Sequence, residues 1–164
     1  DSRSHCRSYR ACGLFSAAKY PPNGLRKSIE LVAPTTGYAE IMSVCPCQSG
    51  ESYNECCGRL HRGDALAPTA ERLMRSRYSA YSLGEAAYLL RTWYPSTRPH
   101  SIEIDPDVRW FRLDILACTG GSMLDTRGTV EFRAHYRTKG VTGYQHENSI
   151  FVRENGTWLY VSEI

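Results

Sequence analysis

Thirteen consecutive positions, CPCQSGESYNECC from Cys45 to Cys57, hold four of the seven cysteines in this 164-residue chain. Such crowding leaves few chemical options. Close cysteines in an exported chain would form disulfides, but the first thirty residues lack the compact apolar stretch of an export signal, and the chain is expected in the cytoplasm. A bridge across Cys45-Pro46-Cys47, or between the adjacent Cys56 and Cys57, would also be strained. A bound metal accounts for the spacing better. Pro46 forms a tight knuckle, Ser49-Gly50 supplies a turn, and four thiolates can close the tetrahedron that zinc takes in structural sites. Iron suits the same shell. A closed shell leaves no position for a substrate water, so the expected metal is structural. Its binding energy, on the order of 10 kcal/mol, would organise a segment too short to have a core of its own. Cys6, Cys12 and Cys118 lie outside this group, and Cys118, at the end of an expected strand, reads as a small buried hydrophobe.

With 41% hydrophobic residues, the chain can bury one ordinary core with a small satellite beside it. No run approaches the eighteen or so apolar residues needed to span a bilayer, so no membrane role is expected. Residues 1–41 hold six Lys or Arg against three acids, which accounts for the whole net charge of +3; from Met42 onward fourteen basic residues face fourteen acidic ones. A neutral body disfavours nucleic-acid binding by bulk electrostatics. The first 41 residues carry Pro21, Pro22 and Pro34 and show no sustained period. They read as a disordered extension or a mis-assigned start, with Met42 as a credible true start.

The body changes period along its length. Pro68-Thr69 can open a helix in which Leu73, Met74, Tyr78 and Tyr81 recur at helical spacing until Gly84, and a second helix is expected from Glu85 to Tyr94, stopped by Pro95. Strands follow. Trp110 to Cys118 is strand-like, and Val130, Phe132, Ala134 and Tyr136 alternate with Glu131, Arg133, His135 and Arg137, which places His135 towards solvent. Asn155-Gly156 is a two-residue hairpin turn joining Tyr144–Glu154 to Thr157–Glu163. Helices first and an antiparallel sheet afterwards give an α+β fold. The hairpin register sets Arg153 opposite Trp158, Phe151 opposite Tyr160 and Ser149 opposite Ser162, with Glu147 continuing the row. The other surface carries Ile150, Val152, Leu159 and Val161, which calls for cover by another part of the chain or by a second copy in a homodimer. Arg77 lies four positions from both Leu73 and Tyr81, which turns it towards the apolar stripe, where a buried guanidinium needs a partner. Glu147 is the candidate, in an ion pair that locks helix to sheet.

CPCQSGESYNECCG resembles the SEC-C metal-binding motif, named for the carboxyl end of the protein-translocation ATPase. The usual form is CPCGSGxxYxxCC, so Gln48 replaces a customary glycine while all four cysteines, Ser49, Gly50 and Tyr53 match. The similarity continues through APTAERLMRSRYSAY, YLLRTWYPSTR, GTVEFRAHYR and HENSIFVRENGTWLYV, so the chain resembles the YchJ-like family from Met42 to its end. The resemblance implies helices packed on a curved antiparallel sheet, the cone of nuclear transport factor 2, over residues 64–164, and a metal knuckle over 42–63. It implies no particular reaction. The family's TWHPS stands here as Thr92-Trp93-Tyr94-Pro95-Ser96, and a phenol in place of the histidine is a poor base at neutral pH.

No nucleophile elbow, phosphate-cradling loop or catalytic metal motif is present, and His61 and His146 lack triad partners in the sequence. Two classes of function follow. One is a binding or adaptor protein whose knuckle contacts a protein partner, translocation- or ribosome-associated by analogy with SEC-C modules. The other is a small-molecule binder or enzyme using a pocket of the cone around Arg77, Trp93, Tyr94 and Glu147. A nucleic-acid role ranks third, since the sequence shows no basic aromatic platform.

Overall fold

The computed structural model describes residues 43–164. The readings made of the first 41 residues, of Met42 as a start, and of Cys6 and Cys12 lie outside the described residues. Three helices come first, α1 (Cys57–Arg62), α2 (Ala70–Leu83) and α3 (Ala86–Arg91), followed by strands β1 (Arg109–Gly120), β2 (Arg127–Thr138), β3 (Val141–Glu154) and β4 (Thr157–Glu163). The strands form one antiparallel meander in the order β1-β2-β3-β4. This is the expected α+β arrangement, with α2 packed across one face of the sheet.

Helix α2 starts and stops where its sequence dictates. The Thr69 hydroxyl accepts a hydrogen bond from the Arg72 amide at 3.1 Å, and Gly84 closes the far end in the left-handed conformation. Between these caps Leu73, Met74, Tyr78 and Tyr81 meet Val130, Phe132 and Ala134 of β2, Phe151 of β3, and Trp158 and Tyr160 of β4 in one buried cluster. Each large apolar side chain so buried contributes about 1.5–3 kcal/mol. Helix α3 ends three residues earlier than its pattern implies. Thr92 and Tyr94 leave the helix to pair with β4, the Tyr160 amide donating to Thr92 O at 2.9 Å and the Tyr94 amide to Tyr160 O at 2.7 Å.

The β3–β4 hairpin turns on Asn155 and Gly156 with φ of 50° and 81°, as a tight turn between twisted strands requires. Arg153 faces Trp158 and Phe151 faces Tyr160 as expected, but an irregularity between Ile150 and Phe151 moves the register, so Ser149 faces Glu163 and Ile150 faces Ser162. Ile150, Val152, Leu159 and Val161 are half-buried. Cys118 departs from expectation: it is exposed. It pairs with Val130 on the edge strand β1, where Glu71 of α2 comes near without covering it, its carboxylate 4.0 Å from the sulfur. No described helix is long and apolar enough to cross a membrane.

Candidate metal centre

The knuckle is built as a small backbone clasp before any metal enters. Val44 and Ser52 form an antiparallel bridge, the Cys45 amide donates to Glu51 O at 2.9 Å, and Tyr53 donates to Ser43 O at 2.9 Å. Pro46-Cys47 then turns back, with the Gln48 amide donating to Cys45 O at 3.0 Å. Gln48 sits at φ 62°, in the left-handed region, which explains why the related motif uses glycine there. Its side chain finds a compensating contact, donating from Nε2 to Phe111 O on β1 at 2.8 Å. The second cysteine pair opens α1, a helix absent from the sequence expectations. Gly58 is required in it, because a Cβ there would stand 2.7 Å from Tyr53 O.

The clasp brings the sulfurs of Cys45, Cys47, Cys56 and Cys57 within 4.8 Å of one another. Each of these residues is at most 1% exposed. Cys47 and Cys56 are 3.5 Å apart and Cys56 and Cys57 3.9 Å apart; a tetrahedron with metal–sulfur bonds of about 2.3 Å has edges of about 3.8 Å. The four residues therefore fit a closed tetrathiolate metal site. Without a metal the sulfurs share protons among themselves. Hydrogen bonds from Cys47 and Cys57 pull the Cys45 thiol down to about 3, while hydrogen bonds to Cys45 and Cys47, with burial, push the Cys57 thiol up. Only a cation lets all four ionise together.

Helix α2 supplies the surroundings of this site. Arg72 Nη2 donates to Cys56 Sγ at 3.1 Å, the Ser49 hydroxyl lies 3.1 Å from the same sulfur, and the Ser79 hydroxyl lies 3.7 Å from Cys45 Sγ. Burial penalises the Arg72 cation, but the Cys56 charge and hydrogen bond together with the charges of Cys57 and Cys47 outweigh it and hold the guanidinium above its ordinary value. Arg75 Nη1 donates to Cys47 O at 3.1 Å. His61 completes the joint. Its Nε2 lies 2.9 Å from Ser76 O, which can only accept, so Nε2 carries the proton and Nδ1 accepts from the Tyr53 hydroxyl at 2.8 Å. Burial keeps this imidazole below its usual pKa and pushes Tyr53 up to about 12. The knuckle is thus bonded to the body chiefly along α2, through Arg72, Arg75, Ser79 and the contact of His61 with Ser76 O, with further bonds from Gln48 to β1 and from Arg91 of α3 to Leu60 O and His61 O; sequence spacing gave none of these residues that role.

The other site residues inferred from sequence fall deeper in the cone. Arg77 is fully buried, donating from Nη1 to Leu89 O and Thr92 Oγ1 at 2.8 Å each. Its guanidinium lies 5.0 Å from the Trp93 ring centre and 4.6 Å from that of Tyr160. Glu147 is 5% exposed and accepts from Ser149 at 2.5 Å, Gln145 at 2.9 Å and Tyr160 at 3.4 Å. Burial lowers the Arg77 pKa and raises that of Glu147. Tyr160 touches both partners of the expected pair. It was visible in the sequence only as the residue opposite Phe151, in the same inward row as Glu147. Tyr94 is half-buried and joins through its backbone. Two surface hollows, of about 390 and 430 Å³, lie elsewhere: one beside Tyr81, Ile104 and Val108, the other beside Leu90, Arg98 and His100. His135 stands on the outer sheet face bonded to Asp114 at 2.8 Å, and His146 bonds Glu131 at 2.7 Å.

Residues 69–163 match the family model described as the middle NTF2-like domain of YchJ. A UPF0225 protein of Streptomyces coelicolor is 55% identical over 116 residues, covering 71% of this chain and 90% of that one. A UPF0225 protein of Chromobacterium violaceum is 50% identical over 127 residues, covering 75% and 93%. Among solved structures, a SEC-C motif containing protein from Rhodopseudomonas palustris superposes with a TM-score of 0.66 at 32% identity, covering 74% of this chain and 98% of its own. One from Psychrobacter arcticus gives 0.64 at 28%, covering 75% and 82%. The family-model match over residues 69–163, together with curated relatives at 50% identity or more that are covered to nine-tenths of their length, makes the chain a member of the YchJ-like UPF0225 family.

Proposed function

We propose that this is a metal-braced binding protein, in which zinc held by Cys45, Cys47, Cys56 and Cys57 folds the knuckle and the knuckle's exposed turn meets a protein partner. The observation that supports it is the closed, buried sulfur quartet: four protein ligands leave no open coordination position, so the ion supplies structure and Lewis-acid chemistry has no access. Iron in the same shell would serve the same role. Gln48, Ser49, Gly50 and Glu51, all exposed, with Val44 at 68% exposure, form the edge offered to a partner. By analogy with SEC-C modules that partner belongs to protein translocation or the ribosome, and the working compartment is the cytoplasm. Elemental analysis of the purified chain tests the first half: about one zinc or iron per chain is expected, and none in a Cys56→Ser, Cys57→Ser double variant. Affinity capture with both proteins tests the second half, and partners retained equally by the variant would refute a role for the knuckle in contact.

A small-molecule site in the cone is the second reading, favoured by the convergence of Arg77, Trp93 and Glu147 on Tyr160. It ranks lower because Arg77 is 0% exposed and Trp93 and Glu147 are 5% exposed, so a ligand would first have to displace packed side chains.

A further inference from the structure

The outer face of the sheet carries an arrangement that the linear sequence conceals. Phe132 and Ala134 of β2 are 0% and 1% exposed beneath α2, so alternation turns Arg133, His135 and Arg137 to the opposite face. On the neighbouring strands Tyr144 of β3 and Arg112 of β1 both pair with His135 and share that face. The register irregularity between Trp110 and Arg112 brings Phe111 onto it as well. The Phe111, His135 and Tyr144 rings then run across three strands, with centres 6.0 and 5.8 Å apart.

Arginines flank both ends of this ladder. The Arg137 guanidinium lies 5.9 Å from the Phe111 ring centre, and that of Arg133 lies 5.0 Å from the Tyr144 ring centre. Asp114 accepts from both Arg112 Nε and His135 Nε2 at 2.8 Å, holding the middle of the ladder in place. Phe111 remains 43% exposed and Tyr144 57% exposed, a large opening for aromatic side chains. The knuckle buttresses one edge, since Gln48 bonds Phe111 O.

We propose that this face binds single-stranded nucleic acid, with bases stacking on Phe111, His135 and Tyr144 and phosphates meeting Arg112, Arg133 and Arg137. Flat rings repeated across a sheet, interleaved with guanidinium groups, match what unpaired bases on a phosphate backbone offer: π-faces to stack and regularly spaced negative charge. Arginine suits both tasks, since its planar, weakly hydrated group stacks on rings and pairs phosphate with two donors. A second copy is the poorer occupant for this part of the face, because a self-paired contact would set its arginines against their own kind. The even charge balance after Met42 hides the platform: of the acids on this face, Asp114 is already engaged by Arg112 and His135, and Glu131, two residues before Arg133, by His146.

The test uses the full chain, loaded with zinc, and a fluorescein-labelled twelve-nucleotide single-stranded RNA of mixed sequence, followed by anisotropy in low salt. Binding is expected with a dissociation constant on the order of 10 μM. Tyr144→Ala should weaken it about tenfold and leave the salt dependence unchanged. Arg137→Ala should reduce the slope of log K against log salt by about 0.7, the value of one lost phosphate contact. Circular dichroism and metal content of each variant confirm folding, and Arg98→Ala, away from the platform, serves as a control that should bind as the parent does. Three results would overturn the proposal: no binding by the parent at about 100 μM protein; indifference to Tyr144→Ala with duplex bound as tightly as single strand; or a concentration-dependent dimer in sedimentation that Tyr144→Ala abolishes.

Discussion

Arg72, in the first turn of α2, holds its guanidinium 3.1 Å from the sulfur of Cys56, so the helix that carries the core also donates a charged hydrogen bond to the metal centre. A tetrathiolate around a divalent ion retains net negative charge, and a half-buried cation beside it stabilises the loaded state. Arg72→Met should therefore lower metal affinity roughly 10- to 100-fold. Competition against a chromogenic chelator measures this directly. Unchanged affinity would show that the contact is only steric.

Removal of the ion should loosen the knuckle before it unfolds the sheet. The bonds from Ser79 and Arg75 to Cys45 and Cys47 depend on where the clasp holds those cysteines. Thermal midpoints should rise with free zinc, by about 1.4 kcal/mol of stability for each tenfold excess over the dissociation constant. A strong chelator should abolish protection of the amides of residues 45–60 in hydrogen exchange while those of Phe132 and Phe151 stay protected. Equal loss across both regions would contradict a separable knuckle.

Glu147 gives the cone a pH dependence of known sign. Burial, opposed by the Ser149 hydrogen bond and the Arg77 charge, leaves its carboxyl above the ordinary carboxylate range. The folded state therefore holds this proton more tightly than the unfolded chain. Its contribution is complete below about pH 4.3 and is lost as pH rises through the folded value. Glu147→Gln keeps a neutral hydrogen-bonding group and removes that loss. Urea midpoints of the variant should gain on the parent as pH rises from about 4 to 7. A parent that gains on the variant over that range would mean that the Arg77 attraction outweighs burial.

At Gln48 two small effects oppose one another. A left-handed backbone costs a side-chain-bearing residue about 1 kcal/mol, and the bond from its amide to Phe111 O contributes about the same. Gln48→Gly should leave the melting temperature nearly unchanged. Gln48→Val, which keeps the strain and loses the bond, should lower stability by at least about 1 kcal/mol. Calorimetry of the two variants at saturating zinc separates the terms, and a large loss in Gln48→Gly would show that the bond dominates.

Local chemistry made much of this molecule legible in advance. Four cysteines in thirteen positions could do little but converge on a metal. Thr69 and Gly84 bracketed α2, since capping and positive φ are properties of single residues, and Asn155-Gly156 marked the hairpin for the same reason. The period-2 rows identified Val130, Phe132 and Ala134 as the buried side of β2 because alternation follows from the pleat alone.

What the tertiary structure decided depended on which strands and helices became neighbours. The end of α3 was set by hydrogen bonds that Thr92 O accepts from, and the Tyr94 amide donates to, Tyr160 on a strand nearly seventy residues away, and the exposure of Cys118 by its place at a sheet edge. Arg72 and Ser79 reached the sulfurs only because the knuckle docked on α2. Phe111, His135 and Tyr144 are far apart in sequence and became a ladder only through strand register and one irregularity in β1. Capping, turns and alternation are written over a few adjacent residues, whereas contacts between distant segments arise from burying one common core, so their partners are chosen by the whole chain at once.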